Sequence, residues 1–231
     1  MTVGEIVTRV RAAIDELMEN DSDFLRETAD EMNLTRTIVD KIGYALQHIL
    51  ETAPLDKLDS SAFETLDATA LADSFSIDAT TLVAMLKLPT DLLRIVEARL
   101  SSWSHFPIPE SDRSQVYLMQ QDKYARGSWD RPVNILTWHG SDRYLEMYCA
   151  KVGTGDDKDT LNFTFIRKPS VTNYSADDQT VNVNVPTLLE GSLIYQVAGL
   201  TMVAFREDIA ASLFAIAARY LDPEQNNRTE E

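Results

Sequence analysis

The sequence predicts an α+β fold: an N-terminal helical unit, a central antiparallel β region and a long buried C-terminal helix. Three observations lead there. Apolar residues recur at helical spacing within residues 3–18 and 35–50. Strand-like runs joined by Gly, Pro and Asp occupy 80–186, and Leu188 to Leu221 is apolar on nearly every side. The expected division is 1–79 helical, 80–186 β, 187–221 a C-terminal helix packing on the rest, and 222–231 a disordered acidic tail. At 231 residues the chain is long enough for one large or two small domains.

The first helix is marked by Val3, Ile6, Val7, Val10, Ile14 and Leu17, with Thr2 and Glu5 spaced as a capping box. Asn20–Asp23 breaks the pattern, and a shorter helix is expected near Phe24–Met32. A longer helix follows over Thr35–Leu50, carrying Ile38, Ile42, Leu46, Ile49 and Leu50 and stopped by Pro54. From Leu55 to Ala79 single apolar residues alternate with Ser, Thr, Asp and Ala, which predicts short helical turns and loop.

Thr80–Pro89 reads as a strand, Pro89-Thr90-Asp91 as a turn, and Arg94–Trp103 as a half-buried strand ended by Pro107 and Pro109. Val133–Trp138 and Arg143–Lys151 form a hairpin through His139-Gly140-Ser141-Asp142. Gly153–Asp157 turns the chain into a further strand at Thr160–Arg167. Thr180–Pro186, with alternating valine and asparagine, closes the β part, valines facing inward or the strand pairing at an edge. The last helix begins after Pro186 and is expected to bend near Arg206–Asp208.

Charge narrows the partners. Against 37 acidic side chains stand 21 basic ones, a net charge of −16. Residues 1–90 hold 7 basic and 17 acidic side chains, 91–186 hold 11 and 13, and 187–231 hold 3 and 7. That balance argues against a nucleic-acid surface driven by phosphate neutralisation and against docking on anionic lipid. The acidic N-terminal third is either a solvated helical surface or a face that repels DNA or meets a basic partner. The single cysteine, Cys149, excludes an intramolecular disulfide and a cysteine zinc site, and its place among apolar residues predicts a buried small hydrophobe. No signal peptide is expected, and the longest apolar run, 193–205, is too short to span a bilayer.

No nucleotide loop, nucleophile elbow or zinc-protease motif is present. Gly153 and Gly155 precede Asp156, Asp157 and Asp159, which repel phosphate and lack the EF-hand spacing for Ca²⁺. His48, His105 and His139 lie far apart in sequence. The expectation is therefore no enzyme, with no catalytic, cofactor-binding or metal-binding residues and no cofactor. Tyr117, Tyr124, Trp129, Trp138, Tyr144 and Tyr148 serve the core, anchor a protein interface or stack on sugars or bases, base stacking being the reading the negative charge favours least.

Four soft motifs stand in order along the chain: Leu88-Pro89-x-Asp91, Gln121-x-x-Tyr124-x-Arg126-Gly127, Arg131-Pro132-Val133 and Leu145-Glu146-x-Tyr148. With the leading helices and the closing apolar helix, over roughly residues 3–220, they resemble the adaptor or ring proteins of the head–tail connector of tailed bacteriophages, in particular those of crAss-like, podovirus-type phages. The resemblance implies a structural virion protein in the neck, made in the bacterial cytoplasm. It implies identical subunits in a ring, usually of twelve, contacting the portal protein and adjacent ring or tail proteins. DNA would pass through without specific binding, and no membrane is involved. Two rival readings remain: an acidic DNA-mimic inhibitor, and a hydrolase with a cryptic site near Asp122, Arg126, His139 and Glu146. Trp129 and Arg131, beside a turn, are expected to be interfacial.

Overall fold

The computed structural model describes residues 1–17, 31–66, 70–71, 73–122, 124–153, 158–170 and 174–221. The fold is α+β, with helices at both ends of the chain and strands between them. Contacts divide it into two compact units, residues 1–62 with 168–231, and residues 63–167. The sequence had suggested consecutive segments divided at 79/80 and 186/187. The first and last stretches instead share one unit, a non-local pairing that periodicity cannot report. The expected helix near Phe24–Met32 falls mostly, and the tail at 222–231 wholly, outside the described residues.

In the helical unit, α1 (Val3–Leu17) starts as its capping box predicts. The Thr2 N–H donates to Glu5 Oε2 at 2.8 Å, and the Glu5 N–H donates back to Thr2 Oγ1 at 3.2 Å. The long helix α2 (Glu31–Thr52) buries Ile38, Ile42, Leu46 and Ile49, one apolar stripe at helical spacing. A helical turn at Thr187–Leu189 leads into α4 (Glu190–Met202), and α5 (Glu207–Leu221) follows after a break at 203–206, close to the expected bend. Both α1 and α2 pack on α4, and α4 packs on α5. Only α4 is apolar on most sides; α5 buries the single stripe Ile209, Ala210, Leu213 and Ala217. Lys57 Nζ donates to Leu221 O at 2.5 Å and neutralises the negative end of α5.

Thr180–Pro186 is not a strand of the β region. It runs extended along the start of α1, where Val3 N–H donates to Val181 O and Val183 N–H to Met1 O. Its alternation is real, with Val183 and Val185 buried and Asn182 and Asn184 exposed. That pattern records one-sided burial, which a lone extended segment against helices satisfies as well as a ladder does.

Among the described residues the β unit contains two sheets. One is ordered β2 (Phe75–Asp78), β3 (Val83–Lys87), β7 (Asp142–Tyr148), β6 (Val133–His139), β5 (Glu110–Ser111); the other is β1 (Glu64–Leu66), β8 (Leu161–Arg167), β4 (Leu92–Leu100). All pairings are antiparallel except β5 with β6. The sheets share one apolar cluster, in which Ala84, Leu86, Leu145 and Met147 from the first meet Ala98, Leu100, Phe163 and Phe165 from the second. Asn134 ties the sheets together: its Nδ2 donates to Ala98 O at 3.0 Å and Pro107 O at 3.3 Å inside this core.

Three local expectations shift. Short strands β1 and β2 replace part of the loop expected over 55–79. The strand expected from Thr80 begins at Val83, because the Asp78 carboxylate draws Thr80 and Thr81 into a turn, accepting from Thr80 N–H at 2.7 Å and Thr81 Oγ1 at 2.8 Å. The strand expected to reach Lys151 stops at Tyr148, since Cys149 takes φ 68°. Cys149 is thus half-buried beyond the strand, its Sγ against Gly127 O, not a core hydrophobe.

Candidate interaction surfaces

The segment 114–131 is built to present side chains. Ser114 caps the short α3 (Gln115–Met119), accepting from Tyr117 N–H at 3.3 Å. Gln120 is buried and holds the following loop from inside: its Nε2 donates to Val116 O at 2.8 Å, and its Oε1 accepts from Gly127 N–H at 2.9 Å. Gly127 sits in a tight corner, where a Cβ would stand 3.1 Å from Val133 Cγ2 and 3.2 Å from Arg131 O, so that a neighbour would have to give by a few tenths of an ångström. Ser128 and Arg131 then exchange both backbone hydrogen bonds at 3.0 Å, so Trp129-Asp130 is the tip of a tight turn.

That turn leaves the Trp129 indole about half exposed beneath the Lys151 ammonium, 4.8 Å from the ring centroid. At the far end of the β6–β7 hairpin the pairing repeats: Arg143 stacks over the exposed Trp138 at 5.6 Å. Tyr124, Ile108 and Leu118 are also exposed on this unit, Tyr124 at 93%. A cation held over an indole keeps its charge and still covers apolar area, so each pair joins an apolar contact to a positive one.

A second constellation lies on one face of β6 and β7. The Tyr148 hydroxyl donates to Glu146 Oε2 at 2.7 Å, and the Thr137 hydroxyl donates to Glu146 Oε1 at 3.2 Å. His139 Nε2 stands 3.4 Å from the same Oε1, and its ring meets Tyr144 edge-on at 5.0 Å. Burial, then the bond to Glu146, pushes the Tyr148 phenol well above its ordinary range. Arg126 covers the Tyr148 ring at 5.4 Å and donates to Thr81 O. Arg126, His139 and Glu146 thus join one chain of contacts through Tyr148, as the sequence had grouped them. Asp122 does not: its carboxylate closes a local turn onto Tyr124 N–H at 2.8 Å.

The other sequence candidates scatter. His48 is exposed near the end of α2, and His105 bonds its neighbour Ser104, at 3.0 Å. Asp159 faces inward, fully engaged by Ser101 Oγ, Ser102 N–H, Ser102 Oγ and Lys151 N–H at 2.6 to 3.1 Å; Asp156 and Asp157 lie outside the described residues. Among the described residues no group of three His, Cys, Asp or Glu side chains could hold a metal ion. Burial pushes the Cys149 thiol up, away from the thiolate form. No described helix is long and apolar enough to cross a membrane. In the first of the four motifs, Asp91 pairs with Arg167, which also grips Glu64 through two bonds of 2.7 Å.

The helical unit carries a surface that sequence reading missed. Tyr195 on α4 and Tyr220 on α5 stack at 5.7 Å, Tyr220 lying over Gly191. Burial, then the charge of Glu16, raises the Tyr195 phenol above its ordinary value. Asp15, Glu16 and Leu17 on α1 are exposed. The spacing Gly191–Tyr195 on one helix is legible, but its partner Tyr220 is brought by tertiary packing. Compared with known proteins, the chain matches no family model and no curated protein.

Proposed function

We propose that this chain is a structural, non-enzymatic subunit of a ring in the neck of a tailed bacteriophage, joining the portal to the tail and continuing the DNA channel. The observation that carries the reading is the pair of exposed indoles, Trp129 in the turn before the β6–β7 hairpin and Trp138 on it, held under Lys151 and Arg143. Rigid aromatics with a charged cover suit a surface completed by another protein, since such anchors concentrate binding energy once water is excluded. The resemblance of the motif order to connector proteins supplies the class. The net charge of −16 suits a channel that DNA slides past without sticking, because like charge opposes binding.

Electron microscopy of the native particle, with symmetry left free, tests this. A ring of this subunit between portal and tail is the expected result. Finding the protein only outside particles overturns it. The hydrolytic alternative has one observation in its favour, the approach of His139 to Glu146 at 3.4 Å. Turnover of a model ester that is lost in both His139→Ala and Glu146→Gln would favour it; turnover unaffected by either removes it.

A further inference from the structure

The exposed sides of the long helices differ in charge. On α1 the solvent side carries Glu5, Arg9, Asp15 and Glu16, and on α2 it carries Arg36, Asp40 and Glu51. On α5 the side opposite the buried stripe carries Ala211, Ser212, Ala215 and Ala218, all exposed. From Ile209 to Ala218 no residue is charged, in a chain of which 25% is. Ser212 adds no free donor, because its hydroxyl donates back to Asp208 O at 3.2 Å. At about 100° per residue, Phe214 and Ile216 fall on either side of this row. Both are half-buried, so the row is the floor of a shallow groove with two apolar walls. Charge returns at the two ends of the same face, with Asp208, whose side chain is 69% exposed, and the exposed Arg219. The watered side of a helix ordinarily carries charged and polar residues, so nearly three uncharged turns mark a contact face.

We infer that this face of α5 pairs with the same face of a second copy, antiparallel, about a two-fold axis near Leu213 and Phe214. The end charges select that occupant. Antiparallel alignment brings Asp208 of each copy opposite Arg219 of the other and Ser212 opposite Ala215, whereas parallel alignment sets Asp208 against Asp208. Each copy supplies both charges, so the face complements itself. Asp208 keeps its local pair with Arg206, at 3.3 Å and open to solvent, and a second guanidinium adds to it. A strongly basic or acidic partner would find nothing to pair with along the middle of the groove. Elsewhere the helical unit, residues 1–62 and 168–231, holds 10 basic and 22 acidic side chains, so copies meeting through its other sides set carboxylates against carboxylates. The small floor lets the two helix axes come close. A two-fold contact closes at two and builds no ring, so the inference goes beyond the neck reading and concerns the free chain.

Sedimentation velocity of the full chain at rising concentration tests the contact. One helix face falls short of the roughly 1,000 Å² that stable interfaces bury, so a weak monomer–dimer equilibrium is expected. Ala215→Glu stands at an exposed position where glutamate suits a helix, and is expected to weaken pairing at least about tenfold with an unchanged circular dichroism spectrum. Asp208→Arg and Arg219→Asp each turn two attractive contacts into repulsive ones and are expected to weaken pairing about tenfold. The two changes combined in one chain restore it, and the two single variants mixed in equal amounts pair with each other. Wild type that stays monomeric at the highest soluble concentration overturns the inference and leaves the groove to a different protein. Pairing that ignores Ala215→Glu, or a double variant that pairs no better than the single ones, overturns it as well. Microscopy of the particle decides the neck reading separately, whichever way these measurements fall.

Discussion

Replacing Gly199 by alanine would place a methyl carbon 2.6 Å from Phe214 Cε1 and 2.7 Å from its Cδ1, at the crossing of α4 and α5. Alanine in a helix interior gains about 1 kcal/mol over glycine. Against that, forcing a methyl group into a packed contact costs roughly 1–3 kcal/mol. Phe214 is only half-buried, yet its ring covers the buried Gly199, so it moves by giving up that contact. The expected net loss is about 1 kcal/mol. Gly191 provides the comparison, since its Cβ would meet Tyr220 at 2.8 Å. The Tyr220 ring is exposed and can swing away at the loss of one aromatic stack, about 0.5–1 kcal/mol, leaving Gly191→Ala near neutral. Urea unfolding followed by far-ultraviolet circular dichroism, which weights the helical unit, reads both. In a Phe214→Ala background the obstruction is gone, and Gly199→Ala is expected to become stabilising by about 1 kcal/mol. The same destabilisation in both backgrounds would refute the steric argument.

Two further outcomes follow from single groups in the β unit. Asp159→Ala strands four donors at the Ser101–Ser102 corner and at Lys151, and is expected to cost about 2–4 kcal/mol in thermal or urea unfolding; a loss below about 1 kcal/mol would mean that water replaces the carboxylate freely. The bond from Arg167 holds the Glu64 carboxyl below its usual value of 4.5. A folded-state value lower than the unfolded one stabilises above the unfolded value, and this is lost as pH falls through the folded one. The stability gap between wild type and Glu64→Gln should therefore shrink on acidification from about pH 6 to about pH 3, and a gap that widens would contradict the assignment.

Much of the local structure was legible. The capping box, the stripe of α2 and the Gly140 hairpin each depend on residues a few positions apart, and each stands where the pattern put it. What failed was whatever needed a distant partner. Thr180–Pro186 alternates like a strand, but its hydrogen bonds run to the start of α1, about as far away in sequence as this chain allows. Strand β2 hides because Ser76 and Asp78 separate its apolar residues in a stretch of only four. For the surfaces, Trp129 was visible as a turn residue, while Lys151 above it and the Tyr195–Tyr220 stack are products of packing. Grouping Arg126, His139 and Glu146 succeeded because β6 and β7 form a register-locked hairpin, whereas Asp122 was claimed by its own loop.

The chain enters the β unit through β1 and leaves it through β8, and these strands are hydrogen-bonded neighbours, Glu64 opposite Phe165, with Arg167 gripping Glu64. An insertion whose ends are already side by side imposes almost the same closure entropy on its host whatever its length, because that cost grows only with the logarithm of loop size. For the helical unit, the hundred-odd residues between 62 and 168 behave like a short connection. Hairpins can be lengthened, and the aromatic rim exchanged, without reopening the helical core.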